Sequence, residues 1–233
     1  MNIKQFIQGI KFKDIQPMED RGYADPPLEF SNTIFPDEGD DILKTKLALL
    51  KQVPKYCTLA IAGIVNKAVQ LMPEGQVYLN IGCLFGYSLF AGMLGNKNKI
   101  CIGVDDFSDL SGHPPAFYCY WEVVKTHNQK SRFYKMDYRD YLENVHKEQI
   151  GVYYYDAVHH FADQYRALVV AEKFFAPGCI ILIDDINTND PKNATDQFLK
   201  ERGDLYETLL LINTAGNGHL TWWNGIFVFR RKK

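Results

Sequence analysis

Apolar positions along this chain follow two rhythms, and from residue 77 onward the two alternate. Short continuous apolar runs, the mark of strands buried on both faces, are separated by stretches of helical spacing. The runs are Val77–Ile81, Lys99–Val104, Phe133–Met136, Val152–Tyr155 and Cys179–Ile183. The spacing predicts helices over Tyr87–Leu94, Ala116–Thr126, Tyr138–His146, Phe161–Phe175 and Lys192–Arg202, with Pro177-Gly178 stopping the fourth. Two more strand-like runs, Tyr206–Ile212 and Gly225–Phe229, flank a glycine-rich loop that carries Trp222 and Trp223. Upstream, helical spacing starts at Asp40 and ends at Pro54, and a second helix is predicted over about Thr58–Met72. Such alternation predicts an α/β fold: a three-layer, doubly wound, mostly parallel sheet with helices on both faces.

The first forty residues break this order. Pro17, Pro26, Pro27 and Pro36 interrupt any long element, and Phe6, Phe12, Tyr23, Phe30 and Phe35 are scattered among them. Residues 1–56 therefore read as an arm and helix packing on a main domain of residues 57–233. The opening MNIKQFIQGIKFKDIQ is amphipathic, predicts a surface helix and lacks a signal-peptide core.

Composition narrows the partners. With 233 residues and 46% hydrophobic content the chain can bury a sizeable core. Its 26 basic and 28 acidic residues leave a formal charge of −2, so no broad pull toward nucleic acid or an anionic membrane is expected. The five cysteines, Cys57, Cys83, Cys101, Cys119 and Cys179, form no CxxC and read as buried, reduced thiols of a cytosolic protein. No apolar run is long enough to span a bilayer.

The candidate chemistry gathers after the strands. Val77–Ser88, VYLNIGCLFGYS, reads as strand, glycine turn and helix, with Gly82 and Gly86 allowing close backbone approach to a ligand. The turn lacks the central glycine of a dinucleotide-binding G-x-G-x-x-G and the lysine of a P-loop, so a ligand without phosphates fits better. Asp105 lies nineteen residues beyond Gly86, where a carboxylate can accept ribose hydroxyls. Strands two to five each run into an aspartate: Asp105, Asp137, Asp156 and Asp184. In sheets of this type, ligands bind beyond the carboxyl ends of the strands. Asp156, Asp184 and Asp185 would repel one another unless a hard divalent cation such as Mg²⁺ held them together. The bland alternative is that they cap a helix and hold backbone N–H groups. Tyr153–Tyr155 read as sheet core, and His113, His219, Trp222 and Trp223 as loop packing. His160 reads as surface, and Arg230–Lys233 as a solvated tail.

These segments together, VYLNIGCLFGYS, IGVDDFS, FYKMDY, YYYDAVHHFADQYRAL and FFAPGCIILIDDI, resemble class I S-adenosylmethionine-dependent methyltransferases. Within them the chain is similar to the macrolide-sugar (macrocin-type) O-methyltransferases and, more distantly, to catechol-type enzymes. The resemblance implies a seven-stranded sheet in the order 3-2-1-4-5-7-6, its last strand antiparallel. It implies that Gly82 and Gly86 border the methionine part of S-adenosylmethionine, that Asp105 binds the ribose and that Asp137 lies near the adenine. Asn80, Ser88, Asp106 and Asp156 complete the implied cofactor set, Asn80 standing where the family often has Glu or Asp. Asp156, Asp184 and Asp185 would hold a divalent cation gripping a small hydroxylated acceptor, and His159 would be the base. The function expected is metal-assisted O-methylation of a polyhydroxylated metabolite or sugar, with a homodimer possible. A binding protein of this fold without turnover and a nicotinamide-dependent oxidoreductase are the alternatives.

Overall fold

The computed structural model describes residues 1–14, 26–36, 40–108 and 114–232. His113 and much of the proline-rich arm, including Tyr23, lie outside the described residues.

One seven-stranded sheet organises the chain. Its strands are β1 (Gln76–Ile81), β2 (Ile100–Val104), β3 (Arg132–Tyr134), β4 (Gln149–Tyr155), β5 (Phe175–Asp184), β6 (Tyr206–Ile212) and β7 (Ile226–Arg231). They lie in the order β3-β2-β1-β4-β5-β7-β6. The first five are mutually parallel, and β7 pairs antiparallel with both β5 and β6. This is the order that the methyltransferase resemblance implies. The continuous apolar runs have the cause read from the sequence, since both faces of the sheet are covered. Tyr78, Tyr154, Leu182 and Val228 belong to one core layer. Their neighbours Leu79, Tyr153, Tyr155, Ile181 and Phe227 belong to the other.

The first layer is built by α1 (Ile3–Gly9), α2 (Pro26–Asn32), α3 (Asp40–Lys46), α4 (Leu59–Leu71), α5 (Tyr87–Met93) and α6 (Pro114–Lys125). The opposite layer holds the short turn α7 (Tyr138–Asp140), α8 (Phe161–Glu172) and α9 (Asn189–Arg202). Helix α1 is shorter than the amphipathic stretch suggests and is not a loose surface helix: Ile3, Phe6 and Ile7 are buried against the α4 side. No helix among the described residues is long and apolar enough to cross a membrane.

Several boundaries differ from the sequence reading. The helix expected over Tyr138–His146 is one α turn followed by a π turn, Tyr141–Val145. Helix α8 ends at Glu172, and Pro177 and Gly178 lie inside β5 rather than stopping the helix. They are exposed at a bulge, where Ile150 faces Phe175 and Val152 already faces Ile180; Pro there removes no ladder bond that the sheet needs. Arg230 and Arg231 end β7 instead of forming a solvated tail, Arg230 pairing with Glu207. Four cysteines are buried, as read, but Cys119 on α6 is exposed.

Candidate active site

The glycine turn after β1 is shaped by what stands behind it. Gly82 has φ +79°, and a Cβ there would lie 1.9 Å from the Asp156 carbonyl oxygen. Glycine at 82 therefore lets the ends of β1 and β4 meet, and Asp156 N–H donates to the Ile81 carbonyl at 2.9 Å. Gly86 (φ +96°) serves packing, because a Cβ would strike the Phe90 ring. Asn80 is fully buried and faces the turn's own groups, not the cavity. Its amide donates to the Gly82 carbonyl at 3.3 Å, and its Oδ1 accepts from Ser88 Oγ at 3.0 Å. Asn suits this position since it both donates and accepts.

The turn's free N–H groups already have a partner. Asp105 Oδ2 accepts from the N–H groups of Cys83 (2.6 Å) and Leu84 (2.8 Å), and its Oδ1 accepts from Phe107 N–H (2.7 Å). Leu84 takes a left-handed φ of +49° to present its N–H this way. The turn thus positions a carboxylate rather than offering bare donors. A carboxylate has about four lone-pair sites, so three backbone bonds leave Asp105 an acceptor site toward the cavity it lines.

That cavity, about 430 Å³, opens at the carboxyl ends of β1, β2, β4 and β5. Its walls include Gly82, Ser88, Asp105, Asp106, Asp137, Asp156, His159 and Asp185. Asp137 caps α7 through Arg139 N–H and is clamped by the Arg139 guanidinium, which holds its carboxyl below the ordinary range. Arg139 lines the cavity too and went unnoticed in the sequence; D-x-R at a helix start was its signal.

Asp156, His159 and Asp185 converge. Their ligand-type atoms all lie within 4.8 Å of one another. His159 Nε2 is 3.1 Å from Asp185 Oδ2 and 3.8 Å from Asp156 Oδ1. Asp185 reaches the cavity from a left-handed backbone (φ +57°), which aspartate tolerates better than most residues. Its Oδ1 is buried with no hydrogen-bond partner among the described residues. Burial first, then the charge of Asp185, holds the Asp156 carboxyl well above the ordinary range.

Asp184 does not join them. Its side chain is buried behind the cavity, accepting from the Tyr154 hydroxyl and from Asp185 N–H at 2.9 Å. Successive residues of a strand point to opposite faces, so only one of two adjacent aspartates can face the cavity directly from the strand end. Tyr154 is thus core, as read, yet it also holds this carboxylate. Trp222 and Trp223 are buried, as their reading as packing implies, and Trp223 also reaches the cavity wall. His219 bonds Thr221 outside the cavity wall, and His160 is exposed.

The N-terminal part supplies an unforeseen piece. Lys55, Tyr56 and Cys57 line the cavity. Lys55 Nζ pairs with Glu29 of α2 at 2.5 Å, both side chains being almost wholly buried, and lies 4.6 Å from the centre of the Tyr87 ring.

Residues 79–186 match the family model described as a methyltransferase domain. Those 108 of the chain's 233 residues are similar to a methyltransferase domain. That segment falls on β1 to the end of β5 and carries all the acidic residues of the cavity wall. No curated protein matches the chain. Among solved structures, the methyltransferase fold recurs in the O-methyltransferase of Bacillus cereus, in complex with S-adenosylhomocysteine. It is 18% identical over 82% of this chain and 91% of that one, with a TM-score of 0.59. It recurs in TomG of Streptomyces achromogenes, an O-methyltransferase of tomaymycin synthesis in complex with S-adenosylmethionine (13% identity, 93% and 100% covered, TM-score 0.60). It recurs as well in CalS11, a TDP-rhamnose 3′-O-methyltransferase of calicheamicin biosynthesis (17% identity, 84% and 95% covered, TM-score 0.51). At these identities the likeness is one of fold.

Proposed function

We propose that this chain transfers the methyl group of S-adenosylmethionine to a hydroxyl of a small polyhydroxylated acceptor, with a divalent cation assisting. The observation that carries the reading is that Asp156, His159 and Asp185 converge in the wall of the cavity that also contains the glycine turn and Asp105. One carboxylate beside the turn suits the ribose hydroxyls of the cofactor. Its volume suits a ligand of that size. The S-adenosylmethionine bound to TomG and the sugar acceptor of CalS11 agree with this choice of donor and acceptor.

The donor set fits a cation. Two carboxylates stand beside an imidazole, and among the described residues one Asp185 oxygen is buried with no hydrogen-bond partner. Asp156 and Asp185 would hold the ion, while Asp184 stays with Tyr154; magnesium, which prefers oxygen, would leave the imidazole out of its shell. When bound, such an ion lowers the pKa of an acceptor hydroxyl and fixes its orientation. His159 acts as the general base. Its Nε2 faces both carboxylates, so a proton it gains is stabilised electrostatically. Four buried free thiols suit a cytosolic setting.

Calorimetry with S-adenosylmethionine, then methyl transfer to a panel of sugars and catechols with and without Mg²⁺, tests the reading. His159→Ala should keep cofactor binding and lose roughly 10²–10⁴-fold in turnover. Undiminished turnover in both His159→Ala and Asp156→Asn would end the mechanistic claim. Binding without turnover on any acceptor would leave a cofactor-binding protein.

A further inference from the structure

S-adenosylmethionine is a zwitterion at its amino-acid end, and the site proposed above must meet those charges. Asn80 offers nothing to the ammonium, since it is buried away from the cavity and tied to Gly82 and Ser88. Ser88 donates its hydroxyl proton to Asn80, so that proton is not aimed at a ligand. The fixed cations of the cavity wall, among the described residues, are Arg139 and Lys55. Arg139 is clamped on Asp137, beyond β3, on the side where Asp105 would hold the ribose. Lys55 stands on the other side of the turn, its Nζ 3.3 Å from the Tyr87 hydroxyl at the start of α5.

We propose that Lys55 binds the carboxylate of the donor's amino-acid end, so that this chain recognises that end through its carboxylate from the N-terminal part. The assignment rests on the cofactor reading above. An ammonium offers three donors; Glu29 takes one and the Tyr87 hydroxyl lies at the length of a weak second. The third serves the cavity. Glu29 is wholly buried and does not line the cavity. It also accepts from Leu59 N–H at 2.8 Å, which joins α2 to the start of α4 and fixes where Lys55 stands. A lysine paired in this way is held in place by its partner, so little ordering remains to be done when a carboxylate arrives.

The test compares S-adenosylhomocysteine with 5′-methylthioadenosine, which keeps the nucleoside thioether and lacks the amino acid. Calorimetry is run on the wild-type chain, on Lys55→Met and on the paired variant Glu29→Gln/Lys55→Met, which removes both buried charges together and so guards against misfolding. The wild type should prefer S-adenosylhomocysteine, and both variants should lose about tenfold to a hundredfold for that ligand alone, as expected for a charge-assisted hydrogen bond. Methylthioadenosine affinity should stay unchanged. Unaltered S-adenosylhomocysteine affinity, or an equal loss for both ligands in the folded paired variant, would overturn the assignment. A wild-type chain that binds methylthioadenosine but gains nothing from the amino acid also overturns it, while the cofactor reading survives. Binding of neither ligand removes both.

Discussion

Replacing Asp156 by Asn should make the protein more stable at alkaline pH while disabling it. Asp156 and Asp185 present carboxylate oxygens within 4.8 Å of each other. At that separation and an effective dielectric constant near 20, the repulsion between two unit charges is about 3 kcal/mol. The side chains remain 28% and 22% exposed, so solvent and salt reduce the usable part to about 1–2 kcal/mol. The sign follows from the direction of the shift. Burial and Asp185 raise the Asp156 pKa in the folded state, so the folded chain binds this proton more tightly than the unfolded chain. Its contribution to stability is complete below the ordinary aspartate pKa and is lost as pH climbs through the raised folded value. Asn carries no such proton, so the variant's advantage should be absent in acid and grow with pH. The substitution leaves the backbone bond from residue 156 to Ile81 in place.

Urea unfolding at pH 4 and pH 8.5 measures this, the upper value chosen because an ordinary imidazole is neutral there. A gain of about 1–2 kcal/mol at pH 8.5 would appear as a rise of roughly 2–8 °C in melting temperature for a chain of this length. Millimolar Mg²⁺ should narrow the gap by stabilising the wild type and leaving Asp156→Asn unmoved. A variant less stable than wild type at pH 8.5, or equally advantaged at both pH values, would refute the electrostatic reasoning.

Gly82→Ala should cost about 1–3 kcal/mol from its left-handed backbone alone and more from the contact with the Asp156 carbonyl. Gly178→Ala, with φ +84° and nothing within 4 Å of the new Cβ, should cost only the backbone part, and equal melting temperatures for the two variants would contradict the close approach. His146 is buried between Tyr141 and Phe174, and burial lowers its pKa. The unfolded chain therefore binds the proton more readily, and stability should fall as pH drops below about 6.5. Unfolding of His146→Gln followed over pH 5–8 should show a shallower slope than wild type.

What the sequence revealed follows from what local pattern can encode. Strands covered on both faces leave continuous apolar runs, so β1, β2, β4 and β5 were legible, as was β6 to the residue. The strand order came from resemblance, since no periodicity states which strands pair. The choice between Asp184 and Asp185 was not legible, because it turns on a single left-handed residue after β5 and on a tyrosine from the neighbouring strand. The place of Asp105 was legible, but its grip on the glycine turn was not: nothing local says that Cys83 and Leu84 would turn their N–H groups toward it.

The Glu29–Lys55 pair was hidden for a different reason. Its members sit 26 residues apart, on either side of the helical spacing that ends at Pro54, and each alone reads as a solvated surface charge. Neither would stay buried without the other, since an unpaired buried charge costs several kcal/mol. Their burial therefore couples the position of α2 to the cavity wall beside Tyr87 and Cys57. A part of the chain that lies outside the matched methyltransferase segment thereby completes the wall on the side facing the glycine turn. Substitutions along α2, far from Asp156 and His159 in the chain, should then be felt first in ligand affinity and only afterwards in the chemical step. The opposite order would mean that this part of the chain acts on the reacting groups directly.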